Sequence, residues 1–454
     1  MRRGDSAARL DPQYQEVNRR KRAYYASPRY PMVPLGKLAT FIQYGISKRA
    51  NTAGLGVPMI RMNNLQANGW DLSDLKHIEL NDADLDRYRL LKGDLLFNRT
   101  NSKELVGKCE AFGEDGDWVF ASYLIRVRLD PQRAVPGFVS AFLNSPAGRI
   151  QIDQVSRQVA GMSNVNAEEL RDLLIPLPDI TEQERLLAEL ETARFERDSA
   201  LKQASALLDD FESWALSAMG ITAPTQVRRN FFATWLGAAR SRLDPFHHLP
   251  EFVEIERSVA AVPHARLGEL VTFSADTWNP AEHTEPTFRY IEIGGVDRRR
   301  GKAMAITLPT NEAPSRARMA VRAGDLIVSL TRPHHGSIAL LGPEHQDGVA
   351  STGFAVIRSV STAASAQFLW AALRLTLSLR QMLRRASGGN YPAITQDELA
   401  NILLPVPNKT TQQLVVNESI RRSNVADALE AQASAQWQQT RARFAQQLLK
   451  ADLS

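Results

Sequence analysis

A single cysteine, Cys109, stands among 454 residues, so there is no disulfide framework, and a lone thiolate cannot build a metal site. Long apolar runs are also missing. The longest uncharged stretches, 213–227 and 359–373, are short and mix in small and polar side chains. A membrane-spanning helix needs roughly 18–20 apolar residues. The opening MRRGDSAARLDPQYQ carries no apolar segment of the secretory kind. These absences predict a cytoplasmic chain in a reducing compartment. Charge of one sign is scarce as well: 55 Lys and Arg face 50 Asp and Glu. The excess sits in residues 1–30, with eight basic and three acidic side chains. The run Arg19-Arg20-Lys21-Arg22-Ala23-Tyr24-Tyr25 reads equally as an arm touching phosphates or as a solvated tail. Net charge alone does not decide for nucleic acid.

Catalytic signatures are absent too. No G-x-x-x-x-G-K-[ST] phosphate loop occurs, and Val106-Gly107-Lys108-Cys109 lacks its first glycine and its hydroxyl residue. There is no H-E-x-x-H and no G-x-S-x-G. The eight histidines are scattered, with His247-His248 and His334-His335 as adjacent pairs that share no helix face. The Asn/Asp-Pro-Pro-aromatic loop of amino-methyltransferases has no counterpart, since Asp11-Pro12-Gln13-Tyr14 lacks the second proline. The expectation is a chain with no metal, no cofactor of its own and no catalysis.

What is present is a repeat, and a repeat fixes architecture before any local reading. Arg9-Leu10-Asp11-Pro12 recurs as Arg242-Leu243-Asp244-Pro245, and Leu35-Gly36-Lys37-Leu38 as Leu267-Gly268-Glu269-Leu270. Gly93-Asp94-Leu95-Leu96 aligns with Gly324-Asp325-Leu326-Ile327, and Ile175-Pro176-Leu177-Pro178 with Leu404-Pro405-Val406-Pro407. The order is kept and the offset stays between 229 and 233. Two copies of one unit follow. Short apolar runs bounded by Gly, Pro, Asn and Asp read as strands of an α/β (α+β) domain.

After each Pro-x-Pro element a long helix begins. The first opens at Thr181 with Glu184 as a capping box and runs to Met219, 39 residues or about 58 Å. Its seam alternates by three and four through Leu187, Leu190, Arg194, Arg197, Leu201, Ala204, Leu208, Phe211, Ala215 and Ala218, which is coiled-coil spacing. The second runs from Thr410 to about Leu449, with Ile420, Leu429, Trp437, Phe444 and Leu448 as its apolar face. A helix with one apolar stripe needs a partner. The expected partner is the other helix, packed antiparallel about a pseudo-two-fold axis. The expected domains are a basic arm 1–30, a globular domain 31–180, a helical spacer 181–230, a second globular domain 231–408 and a C-terminal helix 409–454.

With these motifs in order twice, the chain resembles the specificity (S) subunits of type I restriction–modification systems, over nearly its whole length. The carrying motifs are Leu-Gly-x-Leu-x-x-Phe, Gly-Asp-Leu-Leu/Ile, a Gly-rich loop leading to Glu169-Leu170 and Glu398-Leu399, and hydrophobic-Pro-hydrophobic-Pro before a Thr-x-Gln helix start. Copy two departs where Gln413 replaces the acidic Glu184. The resemblance implies two target-recognition domains, each reading half of an interrupted duplex DNA sequence. It implies that the helices set the spacing and dock two methyltransferase (M) subunits, with restriction/translocase (R) subunits completing a phage-defence complex. S-adenosylmethionine, ATP and Mg are then expected in the partners. The alternative is an S-like recognition subunit of another modification or defence complex.

Base edges suit Arg, Asn and Gln, while Ser, Thr and Lys position phosphates. The polar loop after the Gly-Asp strand offers Asn98, Arg99, Thr100, Asn101 and Lys103, against Thr331, Arg332, His334 and His335 in copy two. The Gly-rich loop offers Arg157, Gln158, Ser163 and Asn164, against Arg384, Arg385, Asn390 and Tyr391. Arg61 and Asn63 add a strand end in copy one. The Gly93-Asp94 and Gly324-Asp325 pairs read as turn and cap chemistry, and Trp118 and Trp278 as core.

Overall fold

A computed structural model describes residues 25, 28–66, 69–103, 105–159, 162–223, 232–234, 237 and 242–449. Most of the basic arm therefore lies outside the described residues, as do the side chains of Arg157 and Gln158. The chain separates into two compact units, Met1–Leu201 with Glu430–Ser454, and Lys202–Leu429. The cuts fall inside the long helices, so each unit holds one globular domain with a segment of both helices.

In the first unit a four-stranded antiparallel sheet has the order Ala39–Tyr44, Leu124–Leu129, Leu95–Asn98, Cys109–Ala111. Its side chains alternate between two cores, as the period of two requires. Leu95, Phe97, Ile125 and Val127 enter a core with Phe138 and Phe142 of helix Pro136–Asn144. Leu96 and Leu124 point the other way, onto Ile60, Leu90, Phe112 and Phe120. The second unit repeats the device. Its sheet runs Val271–Phe273, Phe354–Val360, Leu326–Ser329, Ile338–Leu340. Leu326, Val328, Ala355 and Ile357 face helix Ala366–Leu373, while Ile327, Phe354 and Val356 face the opposite core. A second, mixed sheet of Ile306–Pro309, Thr287–Ile291, Gly348–Ser351 and Ala317–Val321 lies in this unit.

The repeated motifs gather in one place in each domain. Met32–Pro34 pairs antiparallel with Leu174–Pro176, and His264–Arg266 with Leu403–Pro405, so each domain's first and last strands close on each other. The glycine of Leu-Gly lets the chain pass close there. A Cβ on Gly36 would come 3.0 Å from Arg171 Cβ, and one on Gly268 3.1 Å from Ala400 Cβ. The Thr-x-Gln glutamine is buried rather than solvated. Gln183 donates to the carbonyls of Arg133 and Pro178 at 3.0 and 2.9 Å and accepts from Val135 N at 2.9 Å. Gln412 donates to those of Ala363 and Pro407 at 2.8 and 2.9 Å. These bonds anchor each helix to its domain.

The helices differ from expectation in caps and seam. They span Ile180–Asp209 and Phe211–Ala218, interrupted at Asp210, and Lys409–Leu449. The caps are Asp179, which accepts from Glu182 N at 2.9 Å, and Asn408, which accepts from Thr411 N at 2.9 Å. Asp179 precedes Thr181, the expected cap, and Asp and Asn rank with the best N-cap residues. In the first unit Leu186, Leu190 and Ala193 are buried along the helix, and Leu186 and Leu190 share a core with Phe444 and Leu448. Gln436 donates to Glu196 at 2.8 Å, and Arg197 lies 5.1 Å over Trp437. The two segments therefore run antiparallel. In the second unit Arg422 donates to Leu207 O at 3.1 Å, and Ala215 and Leu216 share a core with Val415 and Val416, again antiparallel. The expected positions Leu201 and Ile420 are instead 40% and 44% exposed. Small residues take the inward places: Ala193, Ala204, Ser419, Ser423, Ala426 and Ala433. Leu187, Leu208, Phe211, Leu429 and Trp437 are half-buried.

Candidate nucleic-acid interface

Each domain brings its polar loop and its Gly-rich loop together, although the two lie far apart in sequence. In the first, Thr100–Asn101 forms a small sheet with Met162–Asn164 and Arg157–Val159, pairing Asn101 with Ser163, Thr100 with Asn164 and Arg157 with Asn164. Thr100 Oγ1 donates to Asn164 Oδ1 at 3.3 Å, and Val165 N to Arg99 O at 2.9 Å. In the second, Thr331 bridges Ala393, Arg332 N donates to Pro392 O at 2.7 Å, and Ile394 N to Leu330 O at 2.9 Å. The loops meet because the Gly-Asp strand ends beside them. Gly93 and Gly324 have φ of +87° and +90°, which suits glycine. Asp94 and Asp325 are buried, accept from the N–H of Leu91 at 2.9 Å and of Arg322 at 2.8 Å, and pair with Arg128 and Arg358 at 2.7 and 2.8 Å.

An arginine against a tyrosine marks each junction. The Arg99 guanidinium lies 4.9 Å from the Tyr44 ring and donates to Ser122 O at 3.4 Å. Tyr44 is 40% exposed, and its hydroxyl accepts from Ala167 N at 2.9 Å. Arg332 lies 4.2 Å from the ring of Tyr391, which is 70% exposed, and donates to Asn390 O at 3.2 Å. Stacking on a ring holds a guanidinium flat and leaves its edge for bidentate bonding. Arg332 has φ +47°, left-handed for a non-glycine residue, a conformation that costs energy and is held by its surroundings. Beside it, His335 Nδ1 faces Arg298 Nη1 at 3.2 Å. Burial and the neighbouring cations hold both His334 and His335 below the ordinary histidine range. At neutral pH they are therefore uncharged rings that donate and accept, and Arg298 places the His335 proton on Nε2.

Four expected readers are withdrawn from this surface. Asn98 is fully buried, donates to Leu105 O at 3.3 Å, and its backbone closes the loop on Gly107 and Lys108. Ser163 is buried. Arg384 is buried and pairs with Glu256 at 2.6 Å, and Arg385 pairs with the same carboxylate at 2.9 Å. Those two arginines lie on the inner side of helix Thr376–Arg385, so basic character in the sequence signalled a structural cluster. Arg61 is tied to Asp74 at 2.9 Å, and Asn63 and Lys103 are exposed. Tyr44 and Arg298 went unread because they lie in other segments and only the fold brings them here. Trp278 is buried in a stack with Phe288 at 4.5 Å, and Trp118 packs edge-on to Phe112 at 5.9 Å.

No protein-family model matches the chain. It is 28% identical over 171 residues to the type I restriction enzyme EcoKI specificity subunit of Escherichia coli (strain K12), covering 37% of each protein. It is 24% identical over 176 residues to the putative type I restriction enzyme MjaX specificity subunit of Methanocaldococcus jannaschii, covering 38% of this chain and 41% of that one. These matches span well under half the length of either relative. A solved chain from work on assembly and conformational transition of the type I R-M system superposes with a TM-score of 0.51 at 16% identity, covering 94% of this chain and 98% of that one. Among the described residues no helix is long and apolar enough to cross a membrane.

Proposed function

We propose that the chain, which is similar over part of its length to type I restriction-enzyme specificity subunits, is the DNA sequence-specificity subunit of a type I restriction–modification complex. Each domain reads one half of a bipartite duplex site through its joined loops. Arg99 and Arg332 are the principal base readers, because a flat guanidinium pairs best with the O6 and N7 edge of guanine in the major groove. Asn101, Asn164 and Asn390 supply amide edges suited to adenine, while Thr100, Lys103 and Thr331 fix the register on phosphates. The helices hold the half-sites at a fixed gap and dock two methyltransferase subunits, and restriction subunits join the same complex. Methyl transfer and cleavage, with S-adenosylmethionine, ATP and Mg, belong to those partners.

The observation that carries this reading is the recurrence of one constellation, an arginine stacked on an exposed tyrosine where two polar loops meet, in both repeats. The test is reconstitution with the methyltransferase subunit. The chain alone neither methylates nor cuts DNA, and its addition to the methyltransferase gives sequence-dependent adenine methylation. Turnover by the chain alone, or methylation indifferent to its presence, overturns the proposal.

A further inference from the structure

Away from the loops, the second unit contains a cleft of 260 Å³ walled by cations. Asp297 builds one wall. Its side chain accepts from Arg299 N and Arg300 N at 2.9 and 3.0 Å, and its carbonyl accepts from Gly301 N at 2.7 Å, which folds Arg298-Arg299-Arg300 into a tight turn. Gly301 is necessary here: its φ is +62°, and a Cβ would meet Trp370 Nε1 at 2.4 Å and Arg374 Nε at 2.8 Å. The turn thus brings three arginines against Arg374, whose guanidinium lies 4.6 Å from the Trp370 ring. Arg422, Ser419 and Ser423 of the C-terminal helix face the same space.

The charges in this cleft are incompletely matched. Arg299 pairs with Asp209 at 2.6 Å, Arg300 with Asp427 at 2.5 Å and Arg422 with Glu418 at 2.8 Å. Glu212, also in the wall, accepts from Thr376 N and Oγ1 at 2.8 and 2.6 Å. Arg298 and Arg374 have no carboxylate at ion-pair distance among the described residues; Arg298 meets only His335, and Arg374 donates to the carbonyls of Arg298 and Arg299. Arg374 Nε and Ser423 Oγ are sealed from water and lack any hydrogen-bond partner. Burial brings the Arg374 pKa down to about 10, so the group stays cationic at neutral pH. Two orphaned donors and two unmatched cations around one cleft are what an oxyanion would satisfy.

We propose that this cleft is a binding site for a small phosphate-class oxyanion, inorganic phosphate or pyrophosphate, held by Arg298, Arg374 and Arg422 with Ser423. The volume decides the size. At 260 Å³ the cleft lies below the roughly 300–1,000 Å³ of pockets that hold drug-sized ligands, which suits a small anion. Arg298 links the site to the polar loop of this domain through its contact with His335 at 3.2 Å.

The experiment is calorimetric titration of the full chain with phosphate, then pyrophosphate, at low salt. One saturable site is expected. Arg298→Gln, on an exposed side chain, and Arg374→Gln each weaken it about tenfold or more, as the loss of charge-assisted bonds requires. Trp370 emission should change with the same midpoint, and Trp370→Phe should remove that signal while heat is still released. Circular dichroism verifies that each variant is folded, and if Arg374→Gln is not, Arg298→Gln decides. Absence of saturable binding, or equal affinity in the folded variants, overturns the proposal. So does a result in which the variants weaken only duplex DNA binding and never phosphate binding.

Discussion

Gln151 and Leu174 exchange two hydrogen bonds, from Gln151 Nε2 to Leu174 O at 2.8 Å and from Leu174 N to Gln151 Oε1 at 2.9 Å. Gln381 and Leu403 repeat the pair in the second domain, at 2.8 and 2.8 Å. Both glutamines are buried. Each amide substitutes for a missing strand neighbour at the last strand of its domain, next to the Pro-x-Pro stop. Replacing Gln151 or Gln381 by leucine leaves a buried N–H and C=O unpaired, at about 1–3 kcal/mol for each group. Each substitution should lower stability by about 2–6 kcal/mol, read from urea unfolding. A loss no larger than that of an ordinary surface substitution would show that water replaces the amide.

The two arginine–tyrosine junctions should act on different halves of the DNA site. Arg99→Ala should relax readout of the half-site belonging to the first domain by about 1–3 kcal/mol, the size of one bidentate base contact. The other half-site should be read as before. Competition binding with duplexes altered in one half at a time checks this, and a loss spread over both halves contradicts it.

Arg332 separates stability from recognition. Its left-handed backbone is strained for arginine and free of strain for glycine. Arg332→Gly should therefore leave stability within about 1 kcal/mol of the parent while abolishing readout of the second half-site. Unfolding and binding measured on one preparation decide it. A large stability loss would mean that the guanidinium–Tyr391 contact is structural.

His247 gives a pH signature. Burial first, then Arg384, Arg242 and Arg385, brings its pKa down to about 4 from 6.5, and its Nδ1 lies 3.2 Å from Arg384 O. The folded state thus binds the proton more weakly than the unfolded chain. The contribution is complete above pH 6.5 and is lost as pH falls from 6.5 toward 4. Unfolding free energy should slope downward over that window, and His247→Gln should flatten the slope. An equal slope in both proteins would assign the effect elsewhere.

Much of the fold was legible because repetition is a pattern in the sequence itself. Ordered motifs at one nearly constant offset predicted two domains and two long helices without knowledge of a single contact. The seam was harder. Leu201 and Ile420 look like core residues, yet alanines and serines fill the inward positions, and a reading weighted by side-chain size overlooks Ala204 and Ser423. The candidate interface divided for a similar reason. Arg99, Arg332 and Asn101 could be singled out because their loop follows a recognisable Gly-Asp strand. Arg384 and Arg385 pair with Glu256, which sits in a helix distant in sequence and which nothing in their local sequence reveals. Tyr44 was missed because its relation to Arg99 exists only after the sheet forms.

The helices should act as a ruler. Four residues inserted between Ala200 and Leu201 lengthen the helix by about 6 Å and turn it by about 40° beyond a full turn. At about 3.4 Å per base pair this adds one or two base pairs to the gap. Two inserted residues turn the helix by about 200° and misface Ala204, so assembly should fail. Methylation patterns from the two variants check this, and an unchanged gap in the four-residue variant would assign spacing to another element.

The account rests most directly on one measurement, single-molecule mapping of adenine methylation in host DNA with and without this chain. The predicted result is a bipartite motif, two short defined halves around a fixed undefined gap, that is methylated in its presence and unmethylated in its absence. Exchange of residues 31–180 for the matching domain of a related chain should change one half alone. A methylation map that is the same with and without the chain would contradict its role as the reader of the site.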